Sequence, residues 1–319
     1  MKMKFHIPDF YIHWEVNLNL IDMLKEHPEY FLDGVEIASC YGCFGPALWN
    51  GGRAMGGISS TELIANTIKA FNDRGVPIRY TFTNPTITEA DLKDPFCNKL
   101  CRMAENGFNE IIVNVPHLEA YVREKYPQYP LVSSTVKQIE DYDTLMAEFE
   151  KGYKLVVLDY NWNNDFERLA KIPQELRERC EILVDPYCVS HCPRRGEHYR
   201  VLGESQRDAS QHSLTARLNG ENVLHKAAEF KCPNMGYNFY QIQDYCTFVP
   251  NTALEKYMEM GFCNFKLEGR AIRRENVIES YVYYMVKPEY RDLVRLSLLT
   301  AAPRTPLATP RRTPVQAEK

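Results

Sequence analysis

Apolar residues along this chain fall into short extended runs separated by longer stretches with helical spacing. KFHI (4–7), GVEIAS (34–39), PIRYTFTN (77–84), EIIVNV (110–115), PLVSSTV (130–136), KLVVLDY (154–160), EILVDP (181–186) and NFKLEGR (264–270) read as eight strands. Runs such as IIVNV lack apolar–polar alternation, which suits strands covered on both faces of a parallel sheet. The segments between them, TELIANTIKAFNDRG and DTLMAEFEKG among them, repeat apolar residues at helical intervals and often end on Gly or Asn before the next strand. Eight such alternations predict an α/β fold, a closed (β/α)8 TIM-like barrel, with an open doubly wound sheet as the competing arrangement.

One interval breaks the rhythm: residues 187–263 part the seventh strand from the eighth. An insertion there belongs to the C-terminal face of a barrel, where active sites sit. The expected organisation is a single domain over 1–300, including a polar, irregular, Cys-bearing insertion at 187–250. Residues 273–300 read as a closing helix, and 301–319, rich in Pro, Thr and Arg, as a disordered tail.

Composition narrows the class only a little. A net charge of −4 on 319 residues does not suggest a surface that coats nucleic acid or membrane. The N-terminus lacks the apolar stretch of a signal peptide and no run is long enough to span a bilayer, so the expected compartment is the cytoplasm, with no membrane contact. In a reducing compartment the ten cysteines are read as free thiols or metal ligands.

The cysteines divide by setting. Cys97 and Cys101 lie on one face of a helix, Cys180 begins a strand and Cys263 precedes one, so packing is the simplest reading for all four. Cys40 and Cys43 form a lone CxxC, equally compatible with packing and with redox or metal chemistry. Cys188, Cys192, Cys232 and Cys246 all fall in the insertion, separated by three, 39 and 13 residues. Thiolates are soft ligands suited to zinc and iron–sulfur clusters; these wide spacings fit a cluster in a folded loop better than paired zinc knuckles, with no metal as the remaining alternative.

The segment 246–270, CTFVPNTALEKYMEMGFCNFKLEGR, resembles the collagenase-like peptidase family U32, which shows a Cys, a helix, a Gly-containing turn and a K-[IL]-E-G-R strand end. LVSSTVKQIEDYDTLMAEFEKGYKLVVLDYNWNNDFERLAKI resembles the family's strand, helix, strand and helix upstream, so the likeness runs over residues 105–275. It implies a barrel, and in several members a 4Fe–4S cluster on four cysteines. Carried over by position, Cys188 and Cys246 match the first and last ligands, with Cys192 and Cys232 between them. It also implies oxygen-independent hydroxylation of an RNA base or a ubiquinone-precursor ring, with prephenate as oxygen source. Relatives in the quinone pathway act as pairs, so a partner barrel subunit is a further expectation. CVSHCPRRGEH departs from the family's usual inter-cysteine stretch, marking a divergent member whose substrate does not follow from any one branch.

Candidate chemistry follows the same two segments. Arg194, Arg195, His198 and Arg200 stand beside the first cysteine pair; a guanidinium reads a carboxylate or phosphate bidentately, and an ordinary charged surface is the other reading. Lys266 and Glu268 alternate onto one side of the last strand and would pair there, with Arg270 ending it. Asp185, His117, Ser134 and Asp159 are further strand-end candidates. Proteolysis would need its own constellation: HExxH and GxSxG are absent from the sequence, leaving Cys188 with His191 or His198 as the alternative nucleophile and base.

Overall fold

The computed structural model describes residues 2–221, 224–232 and 238–300. Eight parallel strands close in chain order: β1 Met3–Pro8, β2 Val35–Gly42, β3 Ile78–Phe82, β4 Glu110–Val113, β5 Leu131–Ser133, β6 Leu155–Val157, β7 Cys180–Leu183 and β8 Asn264–Lys266. Pairing of Phe5 with Phe265 and of His6 with Lys266 seals β1 to β8. All eight predicted strands form and the open sheet is excluded. The tail expected at 301–319 lies outside the described residues.

The helices differ from expectation at two prolines. A residue before proline is pushed out of the helical region. The predicted DFERLAKIPQELRER helix is accordingly two short ones, Phe166–Leu169 and Gln174–Arg177, and the closing helix divides into Arg274–Met285 and Arg291–Thr300 around Pro288.

The insertion is not irregular. Its longest element is one helix of 25 residues, Arg195–Asn219. Leu202, Ser205, Gln206, Ala209, Ser213 and Ala216 are buried along it. These spacings lay one stripe against the barrel mouth, but the stripe is filled with small and polar side chains. Gln206 makes the contact specific: its Oε1 accepts from Asn50 Nδ2 at 2.9 Å and the Met55 amide at 2.7 Å, and its Nε2 donates to Met55 O at 3.1 Å.

The main apolar core lies between strands and outer helices. Inside the barrel, Tyr41, Ile112, Val132, Leu155 and Val157 form a separate small apolar cluster. The rest of the lumen is charged. Arg79 of β3 donates to Glu110 of β4 at 2.7 Å and to Glu181 of β7 at 2.5 Å, and all three are buried. His6 Nδ1 lies 2.8 Å from Ser39 Oγ and 3.1 Å from Arg79 Nη2. A guanidinium can only donate, so Nδ1 accepts and the ring proton sits on Nε2, 3.2 Å from Asn264 Oδ1. Burial agrees, holding the imidazole down at about 4.

Candidate active site at the barrel mouth

Above the charged lumen, a cavity opens at the C-terminal ends of the strands. Tyr41, Lys266 and Ile112 are at its base, while Arg53, Ser134, Tyr160, Tyr187, Cys188, Glu268 and Arg270 come from loops after the strands. Arg195, His198, Tyr199 and Cys232 reach in from the insertion.

Arg270 is the most telling group. Its guanidinium donates to Asn50 Oδ1 at 2.9 Å, Thr81 Oγ1 at 2.8 Å and Gly51 O at 2.7 Å. Every one of these acceptors is neutral, yet the residue is only 8% exposed. Burial pulls its pKa down. A buried cation whose hydrogen-bond acceptors are all neutral favours an incoming anion. Two glycines make the seat: a Cβ on Gly51 would come within 2.2 Å of the Thr83 carbonyl carbon, and one on Gly52, whose φ is +73°, within 2.9 Å of Arg270 Nη2.

Lys266 ends β8 at 7% exposure. Its Nζ lies 3.2 Å from Glu181 Oε1 and 4.2 Å from the centre of the Tyr41 ring. Desolvation outweighs the Glu181 carboxylate and lowers its pKa to about 8. Glu268 does not pair with Lys266, as the alternation predicted, but with Arg53. Its second oxygen accepts from the Tyr187 amide at 2.9 Å, and its own amide donates to Asp185 Oδ1 at 2.6 Å. The reason is that β8 stops at Lys266, so Glu268 and Arg270 belong to the following turn rather than to the strand.

The two adjacent arginines of the insertion part company at the helix start. Arg195 points inward, bonding Asp159 Oδ2 at 2.6 Å and lying 4.0 Å over the Tyr160 ring. Arg194, predicted for the site, instead lies outside the cavity, paired with Glu197 at 3.0 Å and donating to Lys231 O at 2.9 Å. Arg200 pairs with Glu204 at 2.5 Å on the exposed face. His198 lines the cavity, stacked on Phe230 at 4.5 Å, and burial followed by the Arg53 charge lowers it to about 4. Of the weaker candidates, Ser134 lines the cavity, Asp159 holds Arg195 and Asp185 supports the turn after β8. His117 serves elsewhere, its Nε2 donating to Ile87 O at 2.9 Å.

The model of peptidase family U32 matches residues 51–292, well over half of the chain. This protein belongs to peptidase family U32. The match reaches further toward the N-terminus than the resemblance read over 105–275, taking in Gly51, Gly52 and Arg53 of the loop beside Arg270. A solved structure described as that of the U32 peptidase Mk0906 is similar at 12% identity, with a TM-score of 0.46 over 86% of this chain and 95% of that one. No curated protein matches the sequence.

In this U32 barrel the six packing cysteines are as sealed as the fold can make them. Cys40, Cys43, Cys97, Cys101, Cys180 and Cys263 are all buried, and desolvation raises the thiol pKa of each. The CxxC at 40 and 43 is thus a packing pair, with Cys40 Sγ accepting from Asn17 Nδ2 at 3.3 Å. The insertion cysteines are different: Cys188, Cys192 and Cys232 are half-buried and Cys246 is exposed. Cys188 and Cys232 line the same cavity, Cys192 acts electrostatically on Cys188, and Thr247, next to Cys246, donates to Cys188 O at 3.4 Å. The donors are of the right kind for a thiolate-bound centre and share one rim. Among the described residues no three His, Cys, Asp or Glu side chains are grouped so as to share a single metal ion.

A cysteine-protease pairing finds little support in the U32 cavity. Burial raises the Cys188 thiol and lowers His198, the opposite of a thiolate–imidazolium pair. His191 faces Glu140 instead, at 3.1 Å. Arg53 and the tyrosines at 41, 160, 187 and 199 line the cavity without having been singled out in the sequence. Among the described residues no helix is long and apolar enough to cross a membrane.

Proposed function

We propose that this U32 barrel is an enzyme that binds a small carboxylate at the mouth of the barrel, in the service of oxygen-independent hydroxylation of an RNA base or a small aromatic quinone precursor. Arg270 carries the reading: a buried guanidinium answered only by neutral acceptors, facing a cavity with tyrosine walls. The guanidinium would take the carboxylate and the phenol faces a flat or cyclic body.

The second half of the reading is that Cys188, Cys192, Cys232 and Cys246 hold an iron–sulfur cluster, with zinc as the other metal suited to the same thiolates. Such a cluster supplies electron transfer, while Arg270, Arg195 and Lys266 bind and orient the carboxylate. Cys188 and Cys232 on the wall of one cavity and membership of U32 support it. A non-catalytic partner subunit would use the same rim without turnover.

The test has two arms. Protein purified without oxygen is expected to carry iron and sulfide that a Cys188→Ala variant loses; stoichiometric zinc, or no metal, overturns the cluster. In calorimetry with small cyclic carboxylates, Arg270→Met is expected to lose about 1.5–3 kcal/mol of binding, the worth of a charge-assisted hydrogen bond. Carboxylates that bind the variant as well as the parent would overturn the site. Modified nucleosides compared with quinone intermediates in a deletion strain separate the two substrate classes.

A further inference from the structure

Lys266 is set apart from the other lysines of the chain. Among the described residues it is the one lysine that lines the mouth cavity, and three features of its seat bear on its reactivity. It is nearly stripped of water, at 7% exposure. Its Nζ faces a carboxylate that is already committed, since Glu181 Oε2 is held by Arg79 at 2.5 Å and lies 3.6 Å from His6. The oxygen nearest Lys266, Glu181 Oε1, lies 3.2 Å from Nζ, at the long end for a charge-assisted contact. The ammonium is thus neither fully solvated nor tightly hydrogen-bonded, and Arg79 and Arg270 both oppose its charge. Desolvation beside other cations is what makes a lysine amine nucleophilic.

Lys266 and Arg270 flank one ring. Nζ is 4.2 Å from the Tyr41 centroid and the Arg270 guanidinium carbon is 5.9 Å from it. One small ligand lying against Tyr41 can therefore present a carboxylate to Arg270 and a neighbouring carbonyl to Lys266.

We propose that Lys266 captures the carbonyl of a 2-oxo carboxylate as a Schiff base, with Arg270 holding the carboxylate. This deepens the carboxylate reading and rests on it. The step balances without any co-reactant. The ammonium and the ketone give an iminium and water: the new C=N bond replaces C=O, and two nitrogen protons leave with the carbonyl oxygen. The positive charge is conserved at nitrogen, so Glu181 is counter-ion before and after, and its strongly ionised carboxylate suits that role. Tyr41, whose hydroxyl donates to Leu267 O at 2.5 Å, is fixed as the platform.

The test is reductive trapping on the full chain. Protein is incubated with pyruvate or phenylglyoxylate and sodium cyanoborohydride, and the adduct is located by peptide mass spectrometry. A single adduct on Lys266 is expected, lost in Lys266→Arg, which keeps a cation facing Glu181, and reduced in Arg270→Met. Acetone, which lacks the carboxylate, is expected to leave Lys266 unlabelled. Calorimetry on the same samples separates the two claims. A 2-oxo acid that binds in an Arg270-dependent way but gives no adduct overturns the Schiff base and leaves the carboxylate site standing. If small carboxylates bind but 2-oxo acids do not, the inference falls alone. If neither binds, both fall. Labelling that survives Lys266→Arg likewise overturns the inference.

Discussion

Arg79 shows how much one side chain can carry inside a barrel. It neutralises two buried carboxylates from strands on either side of the lumen and donates to a third strand's imidazole. Removing one partner of a buried ion pair costs more than the pair contributes, because the survivors keep their desolvation penalty. Arg79→Leu is expected to lose about 3–5 kcal/mol in urea unfolding. Adding Glu110→Gln and Glu181→Gln to that variant is expected to restore part of the loss, since neither carboxylate is then left buried without the guanidinium, while Lys266 loses its counter-ion. If the combined variant is no more stable than Arg79→Leu, the charges are not what the arginine serves. Such residues were hard to see in the sequence. Each interrupts an apolar run once, and their pairings bridge long separations, as His6 does with Asn264 across 258 positions.

At the scale of elements, the helix Arg195–Asn219 decides whether the cavity has a roof. It supplies Arg195, His198 and Tyr199, and is tied down through Gln206 and through Arg207, which pairs with Asp91 at 2.7 Å. Its approach is close at Gly203, where an added Cβ would meet Asn84 Oδ1 at 2.3 Å. Asn84 cannot swing aside cheaply, because it accepts from the Thr86 amide at 2.9 Å and donates to Leu48 O at 2.9 Å. Gly203→Ala is expected to cost about 1–3 kcal/mol of overpacking and to expose this helix to limited proteolysis. Shortening the obstacle with Asn84→Ser is expected to recover part of it; an unchanged digestion pattern in Gly203→Ala would show that the helix docks elsewhere. The insertion read as irregular for a physical reason: apart from Leu202 its buried stripe is Ser, Gln and Ala, so burial leaves only a faint apolar period behind. The NGGR seat was missed for another, its partner Glu268 lying 215 residues from Arg53.

The whole molecule was the most legible scale. Strand runs buried on both faces, most of them following a helical segment, leave few ways to fold, and the closed barrel with its long excursion before β8 follows from them. Closure also couples stability to acidity. His6 stays neutral in the fold, lowered from 6.5 to about 4. Between those values the unfolded chain binds the proton and the native chain does not, so stability rises with pH there and is lost as pH falls from 6.5 toward 4. The contribution is about 3 kcal/mol. Denaturation midpoints of the parent are expected to fall more steeply across that window than those of His6→Asn; parallel curves would remove His6 from the account.

The division of the cysteines has a practical side. Four sulfurs sit where a reagent in water can reach them, and six are walled in by strands and helices. Alkylation kinetics of the native chain should therefore separate into a prompt phase at the rim and a slow phase paced by opening of the barrel, giving the chain an internal clock for its own unfolding without any added label.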